Sequence, residues 1–205
     1  CPIIKKTLSS EEKEVWHTCS LNHREILDLV DILNITKGEP YGGVPSIAMF
    51  KRCEAVRKNG AVVLLEGEGL DEILGGYKYY ALDARKDEGA RGKNTDSSLS
   101  YSQDMTVLIP RNILDKNFVT KYGMADLRFK EPFRSHLLNA QYRDIVHTKI
   151  PRVLRFKDHI SMAHGVEVRV PYLDYRLVEF CFFLPTRFKI QNGVHKVLVR
   201  KTMKK

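Results

Sequence analysis

Residues Ala61–Tyr80 read AVVLLEGEGLDEILGGYKYY, and this stretch decides the fold of the chain. The apolar run Ala61–Leu65 has the length and composition of a short buried strand. Asn59 and Gly60, directly before it, are residues that end a helix and turn the chain. A strand, a glycine-rich turn and a new helix in succession are typical of the ligand-binding edge of an open α/β sheet.

The turn after this strand combines two glycines with a group of carboxylates. Gly67 and Gly69 let the backbone bend sharply and let a ligand approach closely. We expect a helix over Leu70–Leu74, ended by Gly75-Gly76, and the first N–H groups of a helix favour an anion. Carboxylates repel phosphate unless a divalent cation such as Mg²⁺ lies between them. The pattern therefore predicts a nucleotide-phosphate site with Mg²⁺, and the alternative is that the acids only complement the helix dipole. The acids are Glu66, Glu68, Asp71 and Glu72.

Part of this stretch resembles a known motif. Glu66–Tyr77, EGEGLDEILGGY, is similar to the SGEGxDExFGGY segment in the synthetase domain of the asparagine synthetase family. That domain belongs to the ATP pyrophosphatases. The chain has Glu66 where the family usually has Ser.

A second segment, residues 150–183, resembles the family pattern LPxLLRxxDRxSMAxSxEVRxPFLDxRLVEF. We expect much of it to form the scaffold of an acceptor pocket. Asp174 is placed to cap a helix. The buried side of that helix is predicted to carry Leu177, Phe180, Cys181 and Leu184.

The same segment departs from the family pattern in its first part, which leaves the acceptor substrate open. The departures are at Lys157, His159 and Ile160. Asp158, Ser161 and His164 offer the residue types of a hydrolase triad, but they lie close together without a nucleophile elbow, so a triad is disfavoured.

A third segment, residues 184–201, resembles the family pattern LPxxxKIxxGxxKxxLRxA. Asn192-Gly193 predicts a turn, and the helix after it would carry Lys196 and Arg200 at positions i and i+4 on one face. Two cations there suit a pyrophosphate leaving group or the phosphoryl transition state. The alternative is a solvated basic helix face.

Composition narrows the class of protein. The chain has 205 residues, 43% of them hydrophobic, and a net charge of +9. The basic residues are spread along the chain without a zinc-finger or RNA-module signature, so we expect no nucleic-acid partner. Four cysteines without a CxxC pair indicate reduced thiols in a cytoplasmic protein. No signal peptide or long apolar run is present, so we expect no membrane association.

The expected fold class is α/β and helix-rich, a partial parallel sheet of the ATP pyrophosphatase (adenine-nucleotide α-hydrolase-like) type flanked by helices, with a mostly helical C-terminal part. Residues 9–12 predict a capping box, and residues 83–103 predict a polar loop. Helices are predicted at 24–33, from Pro45 towards Asn59, within 106–119 and within 124–148.

Both ends of the sequence indicate part of a longer protein, because it begins with Cys1 and ends in RKTMKK, which is typical of the middle of a helix. In the family, an SGGxDS phosphate loop and a glutaminase domain lie upstream of the position of Cys1. We therefore expect residues 1–205 to be a partial synthetase domain without that loop and that domain. We also expect the isolated chain to be inactive.

The resemblance implies an ATP-dependent carbon–nitrogen ligase. A carboxylate, aspartate in the family, is activated as an acyl-adenylate with release of pyrophosphate, and ammonia then forms the amide. In this interpretation Asp71 binds Mg²⁺, and Glu68 supports adenylate formation and later removes a proton from the amine. Lys196, helped by Arg200, stabilises the phosphoryl charge. The nucleotide contacts are Glu66, Gly67 and Gly69.

Two other functions remain open. One is another amide-forming enzyme of the same fold, such as a β-lactam synthetase, a lasso-peptide cyclase or a sugar amidotransferase. The other is a non-catalytic domain that binds a nucleotide or a partner. For the enzyme, the expected partners are a small carboxylate and ammonia from a glutaminase domain or a separate protein. A homodimer is a further possibility.

Overall fold

A computed structural model describes residues 17–39, 43–89, 115–122 and 129–204. The predicted capping box at residues 9–12 lies outside these ranges. In chain order the elements are α1 (His23–Lys37), α2 (Val44–Lys58), β1 (Val63–Leu65), α3 (Leu70–Ile73), α4 (Lys78–Asp87), α5 (Lys116–Tyr122), α6 (His136–Val146), α7 (Lys149–Met162), β2 (Glu167–Arg169), a 3₁₀ turn (Pro171–Leu173), α8 (Tyr175–Phe183), α9 (Thr186–Lys189), β3 (Ile190–Gln191), β4 (Val194–His195) and α10 (Val197–Thr202).

The fold is helix-rich α/β with a small parallel sheet, as predicted. The chain divides into two compact units, one from residues 1–64 and 156–168 and the other from residues 65–155 and 169–205. Within the described ranges, no helix is both long and apolar enough to cross a membrane.

Two predicted helices form most of the described part of the first unit. The cap of α1 is a reciprocal pair in which Asn22 and Glu25 each accept the other's backbone N–H, at 3.0 Å in both directions. The helix α2 has Pro45 in its first turn and ends at Asn59, as the sequence predicts. The two helices pack around one apolar cluster, which consists of Leu33, Ile47, Met49, Phe50, Cys53 and Ile160.

The strand β1 pairs with β2, but it is not buried as predicted. The N–H of Glu167 donates to the carbonyl of Val62 at 2.8 Å. Val63 is 40% exposed and Leu65 is 67% exposed, whereas Leu64 packs on the apolar cluster of the first unit. Successive side chains of a strand point to opposite faces, so only one face of β1 contacts that core, and an uninterrupted apolar run does not reveal this.

The second unit is built around α4 and α6. The Asp87 carboxylate, at the end of α4, accepts the Ser135 hydroxyl at 2.6 Å and the N–H of His136 at 2.6 Å. It therefore joins the end of α4 to the beginning of α6. The predicted polar loop at 83–103 is wrong for residues 83–87, which are helical, because Tyr79, Tyr80 and Ala84 give α4 a buried face. Residues 90–103 lie outside the described ranges.

The C-terminal part of the second unit contains α8, α9, the hairpin β3–β4 and α10. Asp174 caps α8 as predicted, since its carboxylate accepts the N–H of Arg176 at 3.0 Å. The predicted buried side of α8 is correct for Cys181, but Phe180 is 55% exposed. The core cluster that includes Ile73 and Leu74 is contacted by the neighbouring positions Leu177, Val178, Cys181 and Leu184, and Phe180 lies outside that face of the helix.

Candidate active site

The glycine-rich turn follows β1 and lies against the 3₁₀ turn. The N–H of Glu66 donates to the carbonyl of Arg169 at 2.9 Å and extends the parallel pairing. Gly69 has φ +94°, and a Cβ there would lie 2.3 Å from Cδ2 of Leu173. Both the backbone conformation and the space therefore require glycine at this position. At Gly67 a Cβ would meet nothing closer than Cε2 of Tyr172, at 3.9 Å, so this glycine leaves room for a ligand.

Asp71, in the helix α3, and Gly76, just after that helix, are packed against each other. The N–H of Gly76 donates to the backbone carbonyl of Asp71 at 2.7 Å. A Cβ on Gly76 would lie 1.7 Å from Oδ1 of Asp71, so the carboxylate occupies the space beside the glycine. The Asp71 side chain is still 34% exposed, and it therefore remains accessible to a ligand.

Lys196 reaches the same carboxylate from the far end of the chain. Its Nζ lies 2.7 Å from Oδ1 of Asp71, and the Lys196 side chain is 27% exposed. The hairpin β3–β4 precedes Lys196. Its turn residues Asn192 and Gly193 have φ +50° and +74°, as the Asn-Gly pair predicts. The structure thus brings the predicted metal ligand Asp71 and the predicted cation Lys196 together.

Lys196 and Arg200 do not lie on one helix, contrary to prediction. Lys196 precedes α10 and has the left-handed backbone conformation, φ 54° and ψ 43°. Arg200 lies within α10, is exposed, and donates its Nε to the carbonyl of His195 at 2.9 Å. The Lys196 carbonyl still accepts the N–H of Arg200 at 3.0 Å, but Lys196 is the cap residue before α10, and its left-handed backbone takes its side chain out of the helical i, i+4 arrangement.

Glu72, one of the four acids of the turn, is buried. Its side chain is in the core, with the residue only 1% exposed, and Oε1 accepts the Tyr77 hydroxyl at 3.0 Å. Burial raises the pKa of the Glu72 carboxyl. Glu66, Glu68 and Asp71 are half-buried. They remain the carboxylates that a ligand at the turn can reach.

A Mg²⁺ ion at this turn would need phosphate or water ligands besides the carboxylates of the protein. In the part of the chain that the structure describes, no group of three or more His, Cys, Asp or Glu side chains could enclose a metal ion alone. Mg²⁺ usually keeps several waters and binds through one or two carboxylates plus substrate phosphates. The exposed Asp71 carboxylate supplies a donor of that kind.

A third cation near the turn was not predicted. The Nζ of Lys149 lies 3.1 Å from the centroid of the Tyr77 ring, a cation–π contact. Burial lowers the pKa of Lys149, while the nearby Glu72 and Asp144 carboxylates oppose that shift. No motif identifies this lysine, because its position beside Tyr77 depends on how α7 begins.

Three further buried polar side chains support the turn from inside the second unit. Nζ of Lys189 donates a hydrogen bond to Oε1 of Gln141 at 2.9 Å, and Nε2 of Gln141 donates one to the backbone carbonyl of Glu72. Asp144 accepts the hydroxyls of Tyr79 and Tyr80 at 2.7 and 2.8 Å. Lys189 matches the Lys of the LPxxxKI pattern, whereas only the polar residue type within apolar surroundings signals Gln141 and Asp144 in the sequence.

The disfavoured hydrolase triad does not form. The Ser161 hydroxyl donates to the backbone carbonyl of Asp158 at 3.3 Å. The His164 ring packs edge-on against Phe50, with ring centroids 4.4 Å apart. These contacts place the three residue types in structural roles.

The fold and the turn define a helix-rich α/β domain of the kind that binds a ligand at the carboxyl end of a strand. The sequence model described as asparagine synthase matches residues 6–205, and the chain belongs to that family. The chain is 23% identical over 201 residues to asparagine synthetase [glutamine-hydrolyzing] 3 of Bacillus subtilis, a match that covers 91% of this chain and 31% of that protein.

Two other relatives show the same partial coverage. A putative asparagine synthetase [glutamine-hydrolyzing] 1 of Methanocaldococcus jannaschii is 25% identical, with 92% of this chain and 24% of that protein covered. The asparagine synthetase [glutamine-hydrolyzing] of Gallus gallus is also 25% identical, with 77% and 20% covered. The chain thus spans about a third or less of the length of these relatives.

Proposed function

We propose that this chain is the later part of a synthetase domain that forms an amide bond from a carboxylate, ATP and ammonia through an acyl-adenylate. The proposed acceptor is aspartate and the proposed product is asparagine, with AMP and pyrophosphate released. The observation that carries the proposal is the 2.7 Å contact between Asp71 and Lys196, four residues along the chain from the open Gly67. A carboxylate for a metal ion and a cation for phosphate oxygens meet there at a backbone that a nucleotide can approach.

The Asp71–Lys196 ion pair is weak enough to open when a ligand binds. Both side chains are about one third exposed, and ion pairs of this kind contribute about 1 kcal/mol or less. Phosphate oxygens can therefore replace Asp71 as the partner of Lys196. Asp71 then becomes available for Mg²⁺, which neutralises phosphate charge when bound.

In the first proposed step, an oxygen of the acceptor carboxylate attacks the α-phosphorus of ATP, and the bond to the pyrophosphate oxygen breaks. Lys196 stabilises the negative charge that develops on the phosphoryl oxygens and on the leaving group. Arg200 contributes at longer range, as an exposed cation on α10. The open backbone at Gly67, with Glu66 and Gly69 on either side of it along the turn, forms the proposed nucleotide contact.

In the second proposed step, the nitrogen of ammonia attacks the acyl carbon, and the bond from that carbon to AMP breaks. The proton from nitrogen goes to Glu68, whose half-buried carboxylate lies between the two glycines of the turn. The ammonia comes from a glutaminase domain or a separate protein. A cytoplasmic location and a homodimer are parts of the same proposal.

The acceptor is the least constrained part of the proposal. Of the residues that depart from the family pattern, Ile160 is only 1% exposed and belongs to the core of the first unit. Its change is therefore a change in packing. Lys157 and His159 are half-buried residues of the first unit.

Aspartate-dependent exchange of label between pyrophosphate and ATP, measured in the full-length protein with Mg²⁺, tests the proposal. We expect exchange with aspartate and amide formation once ammonia is added. Exchange with a different carboxylate would favour another amide ligase of the same fold. Nucleotide binding without exchange under any carboxylate would contradict the enzyme and favour the non-catalytic domain.

A further inference from the structure

Lys189 is a buried lysine whose burial needs an explanation. The residue is 0% exposed, at the end of α9, and its ammonium group lies 5.4 Å from the centroid of the Phe182 ring. Its hydrogen-bond partner is the neutral amide of Gln141 rather than a carboxylate. Burial lowers the pKa of Lys189 to about 8. An apolar side chain of similar length would fill this space at a lower cost in free energy, so stability does not account for the lysine.

Lys189 determines which way the Gln141 amide faces. Gln141 is also 0% exposed, and an amide group can present either its oxygen or its NH₂ on a given side. An ammonium group only donates, so the Gln141 oxygen must face Lys189. The NH₂ group then faces the backbone carbonyl of Glu72 and donates to it.

The carbonyl of Glu72 belongs to a helix that needs such a donor. The helix α3 has four residues, Leu70–Ile73, so the last carbonyls have few partners within the helix. Gln141 supplies a donor from α6. Asp71 is the preceding residue on the same short helix, and its position depends on how firmly that helix is held.

Lys189, which orients Gln141, is also close in sequence to Lys196. Lys189 is followed directly by the hairpin β3–β4, after which Lys196 begins. Two residues of the hairpin lie against Gly75. Ile190 packs so closely on it that a Cβ at position 75 would lie 2.9 Å from Cδ1 of Ile190. Nδ1 of His195 is hydrogen-bonded to the Gly75 carbonyl at 2.7 Å. The hairpin and α3 are thus joined on both sides of the Asp71–Lys196 pair.

We propose that Lys189 and Gln141 are positioning residues that set the distance between Asp71 and Lys196, with the Lys189 ammonium orienting the Gln141 amide and the amide holding α3. The significance of that distance for catalysis rests on the function proposed above. The link itself concerns the second unit of this chain alone.

The variant Lys189→Met in the full-length protein tests this inference. The expected result is a thermal midpoint at pH 7 close to that of the wild type, because removal of a buried charge offsets loss of the hydrogen bond to the buried Gln141 oxygen. Backbone amides of residues 70–76 should nevertheless exchange with deuterium about tenfold faster, and kcat for aspartate-dependent pyrophosphate release should fall about tenfold with little change in KM for ATP.

The variant Gln141→Glu distinguishes the effect of the hydrogen bond to Glu72 from that of the hydrogen bond to Lys189. It also tests the inference if Lys189→Met does not fold. It keeps an acceptor for Lys189 and removes the donor to Glu72, so exchange at residues 70–76 should accelerate here too. Lys37→Met is the matched control, because Lys37 is a buried lysine of the first unit, 5% exposed beside Phe156. It should leave the exchange at 70–76 and kcat unchanged.

Wild-type exchange at residues 70–76 in both Lys189→Met and Gln141→Glu would overturn the positioning role, whatever the activity. So would an equal acceleration in Lys37→Met, because the effect would then be general loosening. Absence of pyrophosphate release from the wild-type protein would contradict the proposed function only, since deuterium exchange measures the link without turnover.

Discussion

Lys196 contacts Asp71 through an ion pair with Nζ 2.7 Å from Oδ1, and it does so from a left-handed backbone conformation. A residue with a side chain has a cost of about 1 kcal/mol in that conformation. The intrinsic backbone preference of a lysine therefore disfavours the conformation that Lys196 adopts. The structure retains the strain at the residue that directs a cation towards the glycine-rich turn.

Replacing Lys196 with Ala should lower kcat about a hundredfold, with a smaller change in KM for ATP. A cation that acts on charge developing in the transition state affects mainly kcat, and loss of one such group costs about 3 kcal/mol. Steady-state pyrophosphate release at varied ATP separates the two parameters. The control is Lys201→Ala, an exposed lysine of α10. A change of less than about twofold in both parameters would assign Lys196 to a solvated basic surface.

Replacing Glu68 with Gln should abolish adenylate formation while the chain stays folded. The half-buried Glu68 lies in the turn three residues before Asp71, and the substitution keeps its size but removes its charge and basicity. Aspartate-dependent exchange between pyrophosphate and ATP is the measurement. Glu179→Gln, an exposed glutamate on α8, is the control. Exchange at the wild-type rate would show that Glu68 only complements a helix end.

Gly69→Ala should destabilise the protein much more than Gly89→Ala. Both glycines have positive φ, +94° and +73°, so both substitutions strain the backbone by about 1 kcal/mol. Only at Gly69 would the new Cβ overlap Leu173, which adds about 1–3 kcal/mol for overpacking. Urea denaturation gives both values. Equal losses would mean that the 3₁₀ turn moves away from Gly69 without cost.

Stability should rise with pH above about pH 8 because of Lys189. Its pKa is about 8 in the folded protein and 10.5 when unperturbed, so the unfolded chain binds more protons between these values. The penalty for burying the charge is complete below pH 8 and disappears towards pH 10.5. The difference in free energy of unfolding between Lys189→Met and wild type should shrink by about 2 kcal/mol from pH 7.5 to 9.5.

This difference cancels groups that titrate alike in both proteins. Cys181 does not cancel, because burial raises the pKa of its thiol while Lys189 lowers it, so both proteins carry Cys181→Ala. Urea denaturation of the two proteins at several pH values provides the measurement. A difference that stays constant over this range would show that Lys189 keeps an ordinary pKa.

Asp144→Ala should destabilise the second unit by about 3–5 kcal/mol. The Asp144 carboxylate is 0% exposed, and without it the hydroxyls of Tyr79 and Tyr80 lose their acceptor. Asp83→Ala on α4 is the control, because Asp83 pairs with Lys86 near the surface and should cost less than about 1 kcal/mol. Thermal unfolding compares the two. Equal small losses would show that water replaces Asp144 as the acceptor.

The local part of the fold could be predicted from the sequence, because its causes lie within a few residues of one another. Asn59 and Gly60 end α2, Asp174 caps α8, and Asn192-Gly193 turns the hairpin. Errors arose where burial depends on distant partners. The half-exposed β1 and the exposed Phe180 follow from which face another element covers, and a run of apolar residues does not contain that information.

The order of the amino acids is enough to identify the glycine-rich turn, its acids, the caps and the family, because each depends on residue types at short spacing. Three features follow only from the folded chain: Glu72 is buried, Lys196 precedes its helix, and its Nζ contacts Asp71. The same holds for the support that Gln141 and Lys189 give to the turn. The physical reason is that hydrogen bonds and ion pairs act over about 3 Å, and folding brings residues within that distance whatever their separation along the chain.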